Sequence, residues 1–366
     1  MQMALAVLMA VAAEGAASPR VTPAPNQAVA VAAIRPRVEV AFVLDTTGSM
    51  GGLIEGAKRR IWSIGRRIGE GRPRPDLRIA LVAYRDVGDA YVTQVHPFTS
   101  DMDEVYQSLS SFRAEGGGDT PEHVSAALRD AVEALPWSGP RALKVIFLVG
   151  DAPPHVDYQD GLDYRRHVAD AKRRGIIVDA IQCGGDVQTA AVWREIASAG
   201  LGHYAQIDSQ GGMNAQVTPY DAELARLGAE LSGTVVISGD AREQALAARK
   251  MDARRAMPAA VAVEAAGYLA RADRVAEQDL VDRPVAVQRE ELKHNRAPAL
   301  AGKPEAEALA HLAAQKARRA DLQSKIKGLQ KQRDAALAAA GGEKDAFDSE
   351  VVDQLKERAE KAGIKY

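Results

Sequence analysis

The sequence predicts an α/β protein, with a doubly wound, mostly parallel sheet flanked by helices and then an α-helical C-terminal region. From residue 38 short apolar runs alternate with amphipathic segments, the pattern of strand–helix–strand units stacked into one sheet. Two of those runs, 38–44 and 142–150, are almost wholly apolar, as strands covered on both faces must be. Beyond Gly239 strand formers thin out, and Ala, Arg, Glu, Gln and Lys dominate.

In chain order, residues 1–17 (MQMALAVLMAVAAEGAA) are an apolar run ending in small residues. They resemble a secretory signal lacking its basic start, cut after Ala13 or Ala17. The protein is therefore expected to be exported, to the periplasm, the medium or the cell surface. The run is too short for a comfortable membrane span; an uncleaved anchor is the alternative. Residues 18–36 carry four prolines and predict an extended linker.

A folded α/β domain is expected over 37–233. Its first strand is 38–45, followed by a helix over 53–68 with Leu53, Ile54, Ala57, Ile61, Ile64 and Ile68 at helical spacing. Strands at 77–84 and 91–98 are separated by only a short turn at 86–89, which predicts an antiparallel hairpin at a sheet edge. Helices follow at 102–112 and 121–134, the second with Pro121 in its first turn. A strand at 142–150 ends on Asp151. Helices at 164–174, 190–199 and 221–231 alternate with strands at 176–182 and 202–207.

Residues 234–304 predict a mixed helical linker broken by Pro258, Pro284, Pro298 and Pro304. The segment 305–366 is a helical tail. Its long helix, 305–340, places Leu312, Arg319, Leu322, Ile326, Leu329 and Arg333 on one face, so a coiled coil and self-association are open to it. Two arginines in that seam and Gly328 argue equally for a helix packed on its own neighbours. Gly341-Gly342 ends it, and 347–362 forms another helix.

A net charge of −2 excludes a general nucleic-acid binder, which needs a basic excess. The single cysteine, Cys183, can neither staple its own chain nor build a zinc site alone. In an apolar run at a strand end it reads as a small buried hydrophobe.

In a doubly wound sheet, functional groups gather at the carboxyl ends of the strands. There the first strand delivers Asp45, Thr47 and Ser49, the fourth delivers Asp151, and the loop Gly116-Gly117-Gly118-Asp119-Thr120 delivers Thr120. Five oxygen-bearing side chains suit a hard cation, Mg²⁺ or Mn²⁺, and need neither Cys nor His. An ion held largely by neutral hydroxyls stays electrophilic and would accept a carboxylate from a protein partner. Taken singly, Asp45 and Thr120 are equally good helix N-caps and Asp151 a turn former. Their joint placement at strand ends favours ligation. His155, Asp119 and Asp157 are rim candidates for touching the partner. His123 and His155 lack a third ligand at zinc-motif spacing. In Tyr84-Arg85-Asp86 an internal ion pair is expected, and Asp160 is a further charged rim residue.

Asp45-x-Thr47-x-Ser49, with Thr120 and Asp151, resembles the metal-ion-dependent adhesion site of von Willebrand factor type A domains. The stretches AFVLDTTGSM, ALVAYRD, GGGDTPE and FLVGDAPPH are most similar to the branch found in bacterial secreted proteins and beside alpha-kinases. The resemblance implies direct ligation by Thr47 and Ser49, water-mediated contact from Asp45 and Asp151, and a Thr120 that ligates directly or through water. Thr47 stands where the family usually has serine, which keeps the hydroxyl. It also implies a binding protein without catalytic residues, recognising an acidic side chain of a protein partner.

Two other classes compete. One is an Mg²⁺-dependent aspartyl-phosphate phosphotransferase of the haloacid dehalogenase kind, with Asp45 as nucleophile and Gly150-Asp151 holding the ion. Thr47 then stands where a general acid is usual, and no matching lysine is evident. The other is an assembly protein that works through its helical tail.

Overall fold

Strand β1 (Arg37–Asp45) is buried at every position after the first, as its almost wholly apolar run requires, Glu39 being the one charged residue taken inside before Asp45. The computed structural model describes residues 35–118, 120–209, 216–340 and 346–366. The expected signal at 1–17 and all but the last two residues of the 18–36 linker lie outside them. After β1 come α1 (Gly51–Gly69), β2 (Asp76–Tyr84), β3 (Thr93–Thr99), α2 (Met102–Ser111), α3 (Val124–Glu133) and β4 (Leu143–Gly150). Next are α4 (Tyr164–Arg173), β5 (Ile177–Cys183), α5 (Val187–Ala199), β6 (Leu201–Ile207) and α6 (Asp221–Ser232). The remainder is helical: α7 (Ala241–Arg255), α8 (Ala259–Leu269), α9 (Val285–Lys293), α10 (Glu305–Ala339) and α11 (Ala346–Lys361).

Among the described residues, six strands lie in the order β3-β2-β1-β4-β5-β6. All pairs are parallel except β2–β3, the edge hairpin expected from the short intervening turn. The order reverses direction between β1 and β4. That is the switch point of a doubly wound sheet, where the loops on either side diverge and leave a crevice.

One face of the sheet is covered by α3, α4 and α5, through Val124, Leu128, Val168, Trp193 and Ile196. The other is covered by α1, α2 and α11, with α6, α8 and α10 joined to them in one continuous apolar cluster. Cys183 belongs to that cluster, buried and unpaired.

The sequence suggests boundaries at 233 and 304, yet Arg35–Tyr366 form one compact unit. Val261 and Val263 of α8, Leu322 and Ile326 of α10, and Phe347 and Val351 of α11 share one core with Val40 and Phe42 of β1. Each proline expected to break the region sits at a helix start: Pro258 before α8, Pro284 before α9, Pro304 before α10, and Pro298 opening the short 3-10 turn Pro298–Leu300. Asp240 begins α7 with a full capping box to Glu243. Lys250 and Arg254 of α7 then bind Glu104 and Asp103 of α2, at 2.7 and 2.6 Å. No helix among the described residues is long and apolar enough to cross a membrane.

The seam of α10 faces inward. Ala308, Leu312, Arg319, Leu322, Ile326, Gln330 and Arg333 are its buried residues. The two arginines that interrupt a coiled-coil pattern serve as internal struts. Arg319 binds the hydroxyl and carbonyl of Thr234, at 3.0 and 3.1 Å, and also Asp279 and Asp282. Arg333 joins Asp221 of α6 to Glu264 of α8, at 2.8 Å each. This face is spent on the chain's own packing, so it is not offered to a second coil.

Arg319→Met should cost about 3–5 kcal/mol, because it leaves the fully buried Asp279 charge without its counter-ion. Urea denaturation measures this. Adding Asp279→Asn should recover part of the loss, and no recovery would refute the stranded charge as its cause.

Candidate functional site

Asp45 ends β1 beside the switch point, and β4 delivers Gly150 and then Asp151 next to it. Packing is tight enough there to require a residue without a side chain. A Cβ on Gly150 would come 2.4 Å from the Tyr84 hydroxyl and 3.1 Å from Asp45 Oδ2. The Tyr84 phenol is pushed up by burial, and by Asp45, Glu122 and Asp151 around it.

The Asp45 carboxylate is fully buried and only half satisfied. Its Oδ1 accepts from the Thr47 amide at 2.8 Å and the Thr47 hydroxyl at 2.7 Å. Oδ2 has no hydrogen-bond partner. Burial, with the Asp151 charge nearby, pushes the group up to about 7, against the pull of the Thr47 hydrogen bonds and a weaker pull from the Asp151 amide. Thr47 Oγ1 lies 3.4 Å from Ser49 Oγ, so the three residues of the first motif form one hydrogen-bonded string. Thr47 is buried and Ser49 exposed, which carries the string from the core to the surface. Asp151, half-buried, interacts electrostatically with Asp45.

The glycine loop closes over this string. Gly116 and Gly117 both have positive φ, at 80° and 83°. Gly116 can then approach Gly48, whose amide donates to its carbonyl at 3.2 Å. The chain on either side is held by Arg85, which donates to the carbonyls of Thr46 and Arg113 and lies 4.5 Å over the Tyr91 ring. Arg85 thus braces two loops, and the internal ion pair expected of this stretch is a long one, 3.9 Å to Glu115.

Thr120 is exposed, and Pro121 does not open a helix as expected. The Glu122 amide instead donates to Pro153 O at 2.9 Å, and Glu122 O accepts from the His155 amide at 3.0 Å. This pairing holds residues 120–123 out of helical geometry. His123 caps α3 instead, its Nδ1 accepting from the Ala126 amide at 3.3 Å. With Nδ1 an acceptor, the neutral ring carries its proton on Nε2, which lies 2.8 Å from Asp160.

The rim candidates divide. Asp157 is exposed and lies 2.8 Å from His155 Nδ1. The His155 ring is largely covered, stacked on Tyr158 at 4.2 Å, and Tyr158 donates to Asp86 at 2.6 Å. His155 therefore supports the rim more than it presents a contact. Asp119 lies outside the described residues.

Glu122 was not anticipated as a functional group. Its carboxyl is buried beside the string: a Cβ on Gly117 would lie 3.3 Å from Thr47 Cβ and 3.5 Å from Glu122 Oε1. Oε2 has no partner. Burial, then Asp45, Asp86, Asp89 and Asp151, push it up to about 9. The available signal was an acid two residues past Thr120 in the same loop.

Two inward carboxyl groups with orphaned oxygens, a third acid beside them and a string of hydroxyls are unfavourable without a positive charge among them. The donor set is all oxygen, so it fits a hard divalent cation. A phosphotransferase finds no support here: Asp45 is 0% exposed, with one oxygen already held by two donors, so it has no approach to a phosphoryl group.

Residues 39–179 match the sequence family of the von Willebrand factor A domain. Von Willebrand factor A domain-containing protein 7 of Rattus norvegicus is 40% identical over 124 residues, covering 33% of this chain and 12% of the relative. The alpha-protein kinase vwkA of Dictyostelium discoideum is 29% identical over 119 residues, covering 32% of this chain and 19% of the kinase. The solved SpRpn10 VWA domain shares 15% identity at a TM-score of 0.35, covering 50% of this chain and 91% of that one. The chain thus spans a small part of its curated relatives' length. Within residues 39–179, then, the chain carries a von Willebrand factor A domain.

Proposed function

We propose that this chain is a cation-dependent protein-binding module and not an enzyme. Mg²⁺ or Mn²⁺ would be held by Asp45, Thr47, Ser49, Thr120 and Asp151, and an acidic side chain of a protein partner would complete the site. The observation that carries this is the orphaned Oδ2 of the fully buried Asp45, aligned with two hydroxyls at the switch point. The ion supplies a positive charge able to attract a carboxylate. The chain's own residues do the rest. The Asp45–Thr47 hydrogen bonds fix the hydroxyls, the glycine loop permits close approach, and the exposed Ser49 and Thr120 face the partner's side.

Calorimetric titration of the full chain with MgCl₂ and MnCl₂ tests the site. Wild type should bind about one equivalent, and Asp45→Ala should bind at least about tenfold more weakly, in line with the loss of a metal-orienting carboxylate. Equal affinities would sink the assignment. Capture of partners from a native extract should be lost with chelator and restored by Mg²⁺; capture indifferent to chelator would remove the ion from binding.

A further inference from the structure

Away from the switch point, α3 and α4 pack side by side and bring together Glu133, His167 and Asp170. Glu133 is the last residue of α3, while His167 and Asp170 are three apart on α4 and so share one helical face. One ligand atom from each lies within 4.8 Å of the other two. His167 Nδ1 stands 3.5 Å from Glu133 Oε1. With metal–ligand bonds of about 2.0–2.1 Å, the edge of a tetrahedral zinc site is about 3.3–3.4 Å. The histidine and glutamate are therefore already close to a ligating separation, and an Asp170 carboxylate oxygen lies within 4.8 Å of both.

The imidazole itself points to a ligand. His167 is 4% exposed, yet neither ring nitrogen has a hydrogen-bond partner. A buried ring with two unmet nitrogens is costly, and packing alone does not need a histidine there. Burial also lowers its proton affinity, so the ring is neutral with a lone pair to give.

We propose that Glu133, His167 and Asp170 form a second metal site, for a borderline dication such as Zn²⁺, that cross-links α3 to α4. One imidazole and two carboxylates are a donor set zinc accepts, with remaining positions left to water at the half-exposed Glu133. The two carboxylates balance the dication, which offsets repulsion from Arg129 and Arg166 nearby. Asp170 is currently paired with Arg173, whose side chain is 71% exposed. Arg173 reaches Asp170, itself only 17% exposed, from the solvent side, so an incoming dication can displace it to water. The all-oxygen site at Asp45 differs in chemistry, and that difference makes the two separable.

The experiment titrates the untagged full chain with ZnCl₂ in excess Mg²⁺, which occupies the oxygen site. Wild type and Asp45→Ala should each bind one equivalent of Zn²⁺. Glu133→Gln should lower Zn²⁺ affinity at least about tenfold. Glu133 is exposed at a helix end, so this variant should keep the wild-type melting temperature in the absence of zinc. With Co²⁺ in place of Zn²⁺, a visible absorption band should form in wild type and be absent from Glu133→Gln. Equal Zn²⁺ affinity in wild type and Glu133→Gln, no Zn²⁺ uptake in excess Mg²⁺, or uptake lost in Asp45→Ala would each overturn the proposal.

Discussion

A chain ending before Ala346 is expected not to fold. Helix α11 lies directly on the sheet, with Phe347 against Phe42 at 6.3 Å between ring centroids. Phe347, Val351, Val352, Leu355 and Ile364 are all 1% exposed or less. Burying each contributes about 1.5–3 kcal/mol. Arg358 also grips both carboxylate oxygens of Asp179 in the middle of β5, and Asp179 is fully buried. Stranding that charge costs a further 3–5 kcal/mol or so. Before the ordering entropy of the helix is set against them, these sum to roughly 10–20 kcal/mol, comparable with the whole 5–15 kcal/mol or so by which a domain is stable. The truncated chain should show no cooperative thermal transition by circular dichroism. A sharp transition near that of the full chain would show that the last helix is dispensable.

Without a divalent cation the protein should lose stability as pH rises, and Mg²⁺ or Mn²⁺ should restore it. In the folded chain Asp45 titrates at about 7, against an ordinary value of 3.8. Between those values the folded state holds a proton that the unfolded state has released, so stability falls as pH rises. It is fully present below 3.8 and lost through about 7. For Asp45 alone the shift corresponds to roughly 4 kcal/mol. Glu122, displaced from 4.5 to about 9, extends the decline in the same direction above neutrality. A bound cation favours the ionised carboxylates and reverses the sign. Melting temperatures measured from pH 5 to 9 in chelator and in Mg²⁺ should diverge progressively with pH. Curves that stay parallel would refute the coupling.

The sheet was legible because its strands are buried on both faces. A run such as Val40 to Leu44 has no other stable place, and a strand that ends on Asp45 points it at the crevice. The edge hairpin was legible from its short turn. The start of α3 was not, because Pro121 and Glu122 fit a helical first turn locally, and only the pairing with residues 153–155 prevents it. Glu122 escaped notice for a related reason. A glutamate in a glycine-rich loop is usually solvated, and only the fold shows that this one is turned inward beside Thr47.

The long helix α10 shows the division most clearly. Its apolar spacing fixed that it has a buried face, but spacing has no address. Whether Leu322 and Ile326 meet a second chain or their own domain depends on which surface is left uncovered. The outer side of α6 and α8 was that surface, and beside it Arg319 and Arg333 met buried acids.

By itself, then, the sequence determined the α/β architecture, the hydroxyl and carboxylate set at its strand ends and the helical character of the remainder. These follow from periodicity and from local chemistry. The tertiary structure alone decided that the C-terminal helices complete the core, that Asp45 keeps one oxygen unpartnered, that Glu122 joins it, and that Glu133, His167 and Asp170 converge. Each of those depends on contacts between residues far apart in the chain, which no local pattern records.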